Sequence, residues 1–351
     1  MTQNDLYMQR CLQLAAIGGG YTAPNPMVGA VLVVDGQIIG EGYHQKYGEP
    51  HAEPNAIHAV KDKTLLSKAT LYVNLEPCSH HGKTPPCANL IVKCGIPHVV
   101  IGTLDPNPKV SGNGVRILRE AGIDVTLGVL ENECNELNKR FFVFQREKRP
   151  YIILKWAQTQ DGFIDRIRTS SEEKALAISN EYTQQLTHKM RSENQAIMVS
   201  TNTIVLDNPS LSVRHWSGKN PIRIGLDRQG RIPGNHNLLN GHQKTIIFTE
   251  NTKPNKLNLN FEYLKFDENC LESVLKSLFS NLIHSVLVEG GSKLLQNFID
   301  LGYWDEAHVE ISNQQIEQGV KAPNINALPL SVCEIHNHKI MKFRNEPKYL
   351  S

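Results

Sequence analysis

Asn74-Leu-Glu-Pro-Cys78-Ser-His-His-Gly-Lys-Thr-Pro-Pro-Cys87, with His51-Ala-Glu53 ahead of it, is the stretch that decides how this chain is read. The apolar run 69–75 leading into it has the length of a buried strand, and residues 87–93 have helical spacing. Cys78 and Cys87 each follow a proline, and each is expected to begin a helix, where the thiolate is favoured over the thiol. One imidazole and two thiolates balance the charge of a zinc ion. They also leave one tetrahedral position for water, the open geometry of a catalytic site. A glutamate beside the metal, but not on it, can take a proton from that water and deliver it to a leaving nitrogen.

Helix geometry sets a condition on this reading. Positions i and i+2 of a helix lie about 200° apart, so His51 and Glu53 can face one metal only in a first turn. Pro50 and Pro54 put a helix start there, and Pro54 is tolerated in that turn but not later. The order His-x-Glu, then Pro-Cys, then a second Cys is the signature of zinc-dependent nucleobase deaminases. Eight residues separate Cys78 from Cys87 instead of the usual two, so 79–86 must form a loop between the ligands. The other metal reading is a closed structural site with His80 or His81 as fourth ligand, which leaves Glu53 without a role. Cys94 lies two helical turns, about 10 Å, beyond Cys87 and is a poor further ligand. Scattered His and Cys usually bind nothing; here their order and spacing argue otherwise.

Around this motif the first half alternates helix and strand. Helices are expected over 5–17, 52–61, 87–93 and 115–121, and strands over 28–34, 38–42, 69–75, 98–103 and 125–130. Asp35-Gly36 reads as a hairpin turn. The basic, aromatic segment 138–150 ends in proline and marks a boundary, dividing the chain into 1–146 and 147–351. The second half restarts with a strand over 151–156, followed by strand-like runs at 196–200, 222–226, 245–249 and 285–289. The Asn- and Lys-rich segment 251–269 reads as a surface excursion. Two α/β domains follow, which suits 351 residues.

Bulk properties remove several function classes. The 37 basic and 35 acidic residues leave a formal charge of +2. That advertises no basic groove of the kind a deaminase of RNA or single-stranded DNA needs. No apolar run approaches the roughly 20 residues that cross a bilayer, and the N-terminus lacks a signal-peptide pattern. Seven dispersed cysteines argue against a disulfide framework and for a reducing compartment, with the cytoplasm as the expected location.

These motifs resemble the bifunctional deaminase–reductase family of riboflavin biosynthesis. The resemblance rests on the two stretches above, on Pro24-Asn-Pro-Met-Val-Gly29, Gly40-Glu-Gly-Tyr-His44 and Asp105-Pro-Asn-Pro108. In the second half it rests on Lys155-Trp-Ala-Gln-Thr-Gln-Asp-Gly162, Thr203-Ile-Val-Leu-Asp-Asn-Pro-Ser-Leu-Ser-Val-Arg214 and Val288-Glu-Gly-Gly291. It implies a cytidine-deaminase-like three-layer domain followed by a dihydrofolate-reductase-like α/β domain. The implied substrate is the small molecule 2,5-diamino-6-(5-phosphoribosylamino)pyrimidin-4(3H)-one. Zinc-dependent deamination comes first, then NADPH-dependent reduction of the ribosyl group to ribityl, in a homo-oligomer. His51, Cys78 and Cys87 would be the zinc ligands and Glu53 the catalytic residue. Asn25 and His44 would hold the pyrimidine, with Lys83 near the phosphate. Thr203 and Asp207, with Gly290 and Gly291, would contact NADPH. Arg191, Leu211, Arg214 and Glu289 would contact the substrate.

Chemistry supports part of the second set. Guanidinium groups such as Arg191 and Arg214 bind phosphate through paired planar donors, although a surface arginine is more often only solvated. Glycines between a strand and a helix let a cofactor phosphate approach the backbone. No Gly-x-Gly-x-x-Gly fingerprint occurs, which suits a dihydrofolate-reductase-like cofactor site better than a Rossmann one. One departure stands out: Ala177 occupies the position where the family carries a tryptophan lining the reductase site. A lost aromatic wall predicts weaker binding there, and leaves a deaminase with a feeble reductase as the alternative function.

Overall fold

The computed structural model describes residues 1–79, 86–107, 111–251 and 258–345. The chain divides into two compact units, Met1–Lys148 and Arg149–Ser351.

In the first unit α1 (Gln3–Ile17) opens on a capping box from Thr2 and Asp5. The hairpin β1 (Gly29–Val34) and β2 (Gln37–Tyr43) turns at Asp35-Gly36, both left-handed (φ 49° and 77°), as a tight two-residue turn requires. Then follow α2 (Ala52–Ala59), β3 (Thr70–Leu75), α3 (Cys87–Lys93), β4 (His98–Thr103), α4 (Asn113–Glu120) and β5 (Asp124–Leu127). The strands form one sheet in the order β2-β1-β3-β4-β5. On one face, Leu32, Leu71, Val73 and Ile101 pack with Ala52, Ala56 and Ile57 of α2, Ala88 and Ile91 of α3, and Val115 and Leu118 of α4. On the other, Val31, Val33, Tyr72 and Val100 meet Tyr7, Met8, Cys11 and Leu14 of α1. Alternation along each strand thus sends successive side chains to opposite layers, giving the three-layer architecture. Two short helices close the unit, α5 (Glu131–Leu137) and α6 (Lys139–Glu147). The latter buries Phe141 and Phe142 against Leu75.

The second unit holds a nine-stranded sheet ordered β11-β10-β9-β8-β12-β6-β13-β16-β15. In chain order its elements are β6 (Tyr151–Gln158), β7 (Phe163–Asp165), α7 (Glu181–Glu193), β8 (Ala196–Ser200) and α8 (Thr201–Asp207). Next come β9 (Ile222–Leu226), β10 (Thr245–Thr249), β11 (Leu259–Tyr263), α9 (Cys270–Ser280), β12 (Ser285–Gly290) and α10 (Ser292–Asp300). The unit ends with β13 (Glu306–Ile311), β14 (Val320–Lys321), β15 (Ser331–Ile335) and β16 (His338–Arg344). The strands from β11 to β13 pair in parallel, and β16 and β15 add an antiparallel edge. The segment 251–269 is therefore more than a surface excursion: Leu259–Tyr263 supplies the edge strand beside β10. The large core lies on one face, where Ile152, Leu154, Trp156, Val286, Val288, Ala307 and Val309 meet α9 and α10. Among the described residues, no helix is long and apolar enough to cross a membrane.

Candidate functional site

The first unit brings its metal-binding candidates together from three elements. His51 is the N-cap of α2, with extended backbone, and Glu53 stands in the first turn, the placement the proline pair requires. Cys87 opens α3. Cys78 departs from expectation: it lies in the irregular stretch after β3 and begins no helix. Its sulfur instead accepts a hydrogen bond from the Cys87 backbone N–H (3.3 Å), so the start of α3 serves both sulfurs. The ligand atoms of His51, Cys78 and Cys87 all lie within 4.8 Å of one another. His51 Nδ1 is 3.6 Å from Cys78 Sγ and 3.4 Å from Cys87 Sγ. Zinc–nitrogen and zinc–sulfur bonds of about 2.05 and 2.3 Å at tetrahedral angles require a separation of about 3.6 Å, so this donor set fits zinc. Contact with the Cys87 thiol drives Cys78 below the ordinary thiol range, and the same contact drives Cys87 above it. The two sulfurs therefore titrate as one pair. Glu53 is 3% exposed, and burial, reinforced by the Cys78 sulfur, pushes its carboxyl up to about 7.

His44 and Asn25 stand beside the metal cluster. The His44 ring is edge-on to His51, with centroids 5.3 Å apart. His44 Nδ1 lies 3.0 Å from the Pro50 carbonyl oxygen, which can only accept, so that nitrogen carries the proton. Nε2 then accepts from Asn25 Nδ2 at 3.1 Å, which leaves the Asn25 side-chain oxygen available as an acceptor. Burial lowers the His44 pKa, in keeping with a neutral ring. Lys83 lies outside the described residues, as do His80 and His81.

Two buried amides that the sequence reading passed over hold the loop carrying Asn25. Asn138 accepts from the Met27 N–H (2.8 Å) and donates to the Met27 carbonyl (2.9 Å). Asn74 accepts from the Gly29 N–H (2.8 Å) and donates to the same Met27 carbonyl (3.1 Å). Glu76, inside the decisive motif, accepts backbone N–H groups of Asp105, Gly112 and Val115 and so ties β4 to α4.

In the second unit a cavity of about 770 Å³ is lined by Thr203, Asp207, Glu289, Gly290 and Gly291, together with Lys155 and Ala177. Arg191, Leu211 and Arg214 are not on its wall. Arg191 sits behind Glu289 and grips it with two bonds, at 2.8 and 2.6 Å, and this pair holds the buried Glu289 carboxyl below its ordinary range. Leu211 buries its side chain among Ile197, Val199 and Ile204, and its backbone is left-handed at φ 53°. Arg214 is exposed. Its guanidinium contacts the hydroxyls of Ser210 and Ser212, and its backbone N–H donates to His188 Nδ1 at 2.9 Å. Asp207 is already engaged by Arg168, whose Nη2 lies 2.5 Å from both Asp165 and Asp207.

The two glycines leave room that side chains would fill. A Cβ on Gly290 would stand 3.1 Å from Thr203 Oγ1, and one on Gly291, at φ 57°, would collide with Ser200 Oγ. A backbone cradle beside a cavity of that volume fits a dinucleotide cofactor. Trp156 also borders this cavity, but its side chain is buried in the core. Lys155 was not anticipated as a site residue, although a lysine amid Tyr151-Ile-Ile-Leu-Lys-Trp156 is an anomaly visible in the sequence.

The cytidine and deoxycytidylate deaminase zinc-binding region matches residues 1–103, and the RibD C-terminal domain matches residues 150–313. The riboflavin biosynthesis protein RibD of Aquifex aeolicus is 43% identical over 319 residues, covering 90% of this chain and 88% of that protein. That of Escherichia coli is 36% identical, covering 93% and 92%. Among solved structures, the diaminohydroxyphosphoribosylaminopyrimidine deaminase/5-amino-6-(5-phosphoribosylamino)uracil reductase of Thermotoga maritima superposes with a TM-score of 0.86. It is 37% identical and covers 98% of this chain and 99% of that one. Acinetobacter baumannii RibD gives 0.85 at 32% identity, covering 97% and 98%. The chain belongs to the RibD family of riboflavin biosynthesis proteins and is a bifunctional enzyme, a zinc-binding deaminase joined to a reductase.

Proposed function

We propose that the first unit deaminates 2,5-diamino-6-(5-phosphoribosylamino)pyrimidin-4(3H)-one and that the second reduces the ribosyl group of the product with NADPH. The observation that carries this reading is the convergence of His51, Cys78 and Cys87 at zinc-compatible spacing beside the buried Glu53. His51, Cys78 and Cys87 would hold zinc, which supplies a water acidified enough to attack at neutral pH. Glu53 would move a proton from the attacking water to the departing amine, a task for which its buried carboxyl, pushed up to about 7, is suited. Asn25 offers its side-chain oxygen to an N–H of the pyrimidine, its orientation set by His44. Lys83 would meet the phosphate.

In the second unit Gly290, Gly291 and Thr203 would receive NADPH, which supplies the hydride, with Asp207 alongside in company with Arg168. Lys155 then donates a proton to the sugar oxygen. Of the two lysines on the cavity wall it is the more buried, Lys293 being exposed. Arg214 has no carboxylate partner among the described residues and is the better phosphate ligand. Arg191 is occupied in steadying Glu289. The test is sequential: zinc-loaded protein given the pyrimidine releases ammonia, and only then consumes NADPH. Ammonia release without NADPH oxidation would leave only the deaminase half of the reading standing.

A further inference from the structure

The sheet face opposite the large core of the second unit carries a buried charged cluster. Lys155 on β6, Glu310 on β13 and His338 on β16 share that face, because their strand neighbours Trp156, Val309 and Phe343 point into the core. The Glu310 side chain is 3% exposed, those of Lys155 and His338 14% and 13%. Glu310 Oε1 is 2.6 Å from His338 Nδ1, and Oε2 accepts from Ser179 Oγ at 2.6 Å. Lys155 Nζ stands 3.9 Å from the same Oε2.

Burial alone would raise the Glu310 carboxyl. The Lys155 charge and the bonds from Ser179, Thr183 and His338 outweigh it and hold Glu310 below its ordinary range. Buried ion pairs contribute little net stability against an apolar replacement, so a cluster of this kind beside a ligand cavity calls for a functional account. Lys155 and Ser179 line the reductase cavity, whereas His338 lines a separate cavity of about 460 Å³ with Asn180, Ser312 and Gln314. Glu310 thus stands between the two cavities, held by Ser179 from the first and by His338 from the second.

We propose that Glu310 is the positioning residue for Lys155 in the reductase site, and that His338 fixes Glu310 from the second cavity. The charged and titratable groups around it are Lys155 from β6, His338 from β16 and, beyond Lys155, Glu289 from β12 with its partner Arg191. The idea rests on the reading of Lys155 as proton donor. Without the Glu310 charge the Lys155 ammonium is drawn toward the remaining Glu289 carboxylate, and proton delivery suffers while binding does not.

The test uses the full chain. Glu310→Gln should lower the kcat of reduction about 10- to 100-fold, within the usual worth of a placed general acid, with KM for NADPH and substrate within about twofold. In nitrogen-15 lysine spectra, which need no turnover, the Lys155 ammonium signal should be lost. His338→Phe should produce a milder loss of both. His338→Gln, whose amide still donates to Glu310, should restore them, and this pair decides the matter if Glu310→Gln does not fold. An unchanged kcat or an unchanged ammonium signal in Glu310→Gln overturns the proposal, as does equal behaviour of the two His338 variants. Lys155→Met separates the premise: reduction at the parent rate sinks the donor assignment alone, while the ammonium signal still judges Glu310.

Discussion

Met27 offers its backbone N–H and carbonyl to two buried asparagines because it lies just outside the β1–β2 pairing, which ends at the Val28 carbonyl. An unpaired buried backbone group costs about 1–3 kcal/mol, and Asn138 and Asn74 remove that cost with three hydrogen bonds to Met27 and a fourth from the Gly29 N–H. The same bonds fix Asn25 relative to His44 and the metal ligands. Asn138→Ala should therefore raise the deaminase KM about tenfold, the effect of roughly 1.4 kcal/mol, and leave bound zinc unchanged. Faster hydrogen exchange at the Met27 amide should accompany it; a normal KM alongside fast exchange would show the loop to be irrelevant to binding. Arg191 and Glu289 teach a second lesson at this scale. Both belong to the reductase site by resemblance, yet each neutralises the other, so neither acts alone on a ligand.

Elements became legible wherever burial wrote a pattern into the sequence. The strands β4, β8, β9 and β10 stand where the runs at 98–103, 196–200, 222–226 and 245–249 put them, because each run is mostly apolar and buried, with Arg223 the charged exception in β9. β15 is exposed along nearly its whole length, and β16 buries only Phe343, so neither shows alternation. β11 does alternate, as Leu259, Phe261 and Tyr263, but its polar surroundings hide it. The first site was readable because its ligands fall in two short motifs. Lys155 was not, because Glu310 lies far along the chain and no local spacing joins them.

Two histidines near the second sheet carry a pH signature of this burial. His284, just before β12, and His188, on α7, are both lowered to about 4 from an ordinary 6.5. Burial is the leading cause in each, and Arg191 and Arg214 add to it at His188. The unfolded chain binds these protons more readily, so the stability they permit is complete above about pH 6.5. It is lost as the pH falls toward 4. Melting of the second unit should drop through that window, and His284→Asn should flatten the fall. A melting temperature independent of pH between those limits would contradict this.

At the scale of the molecule, each unit owns its own core and its own candidate site. The three layers of the first place His51, Glu53, Cys78 and Cys87 at helix starts and at the end of β3, above the sheet. In the second, the reductase cavity lies against the C-terminal halves of β6 and β12. Ala177 changes one wall of that cavity, and the match to RibD across both halves keeps the reductase in the account. Two activities built on separate residues should fail separately. Glu53→Gln tests this most directly, with zinc content, ammonia release and reduction of the deaminated substrate measured on one preparation. The account predicts about one zinc per chain, deamination lowered by about a thousandfold or more, and reduction unchanged. Ammonia release near the parent rate with zinc still bound would contradict it.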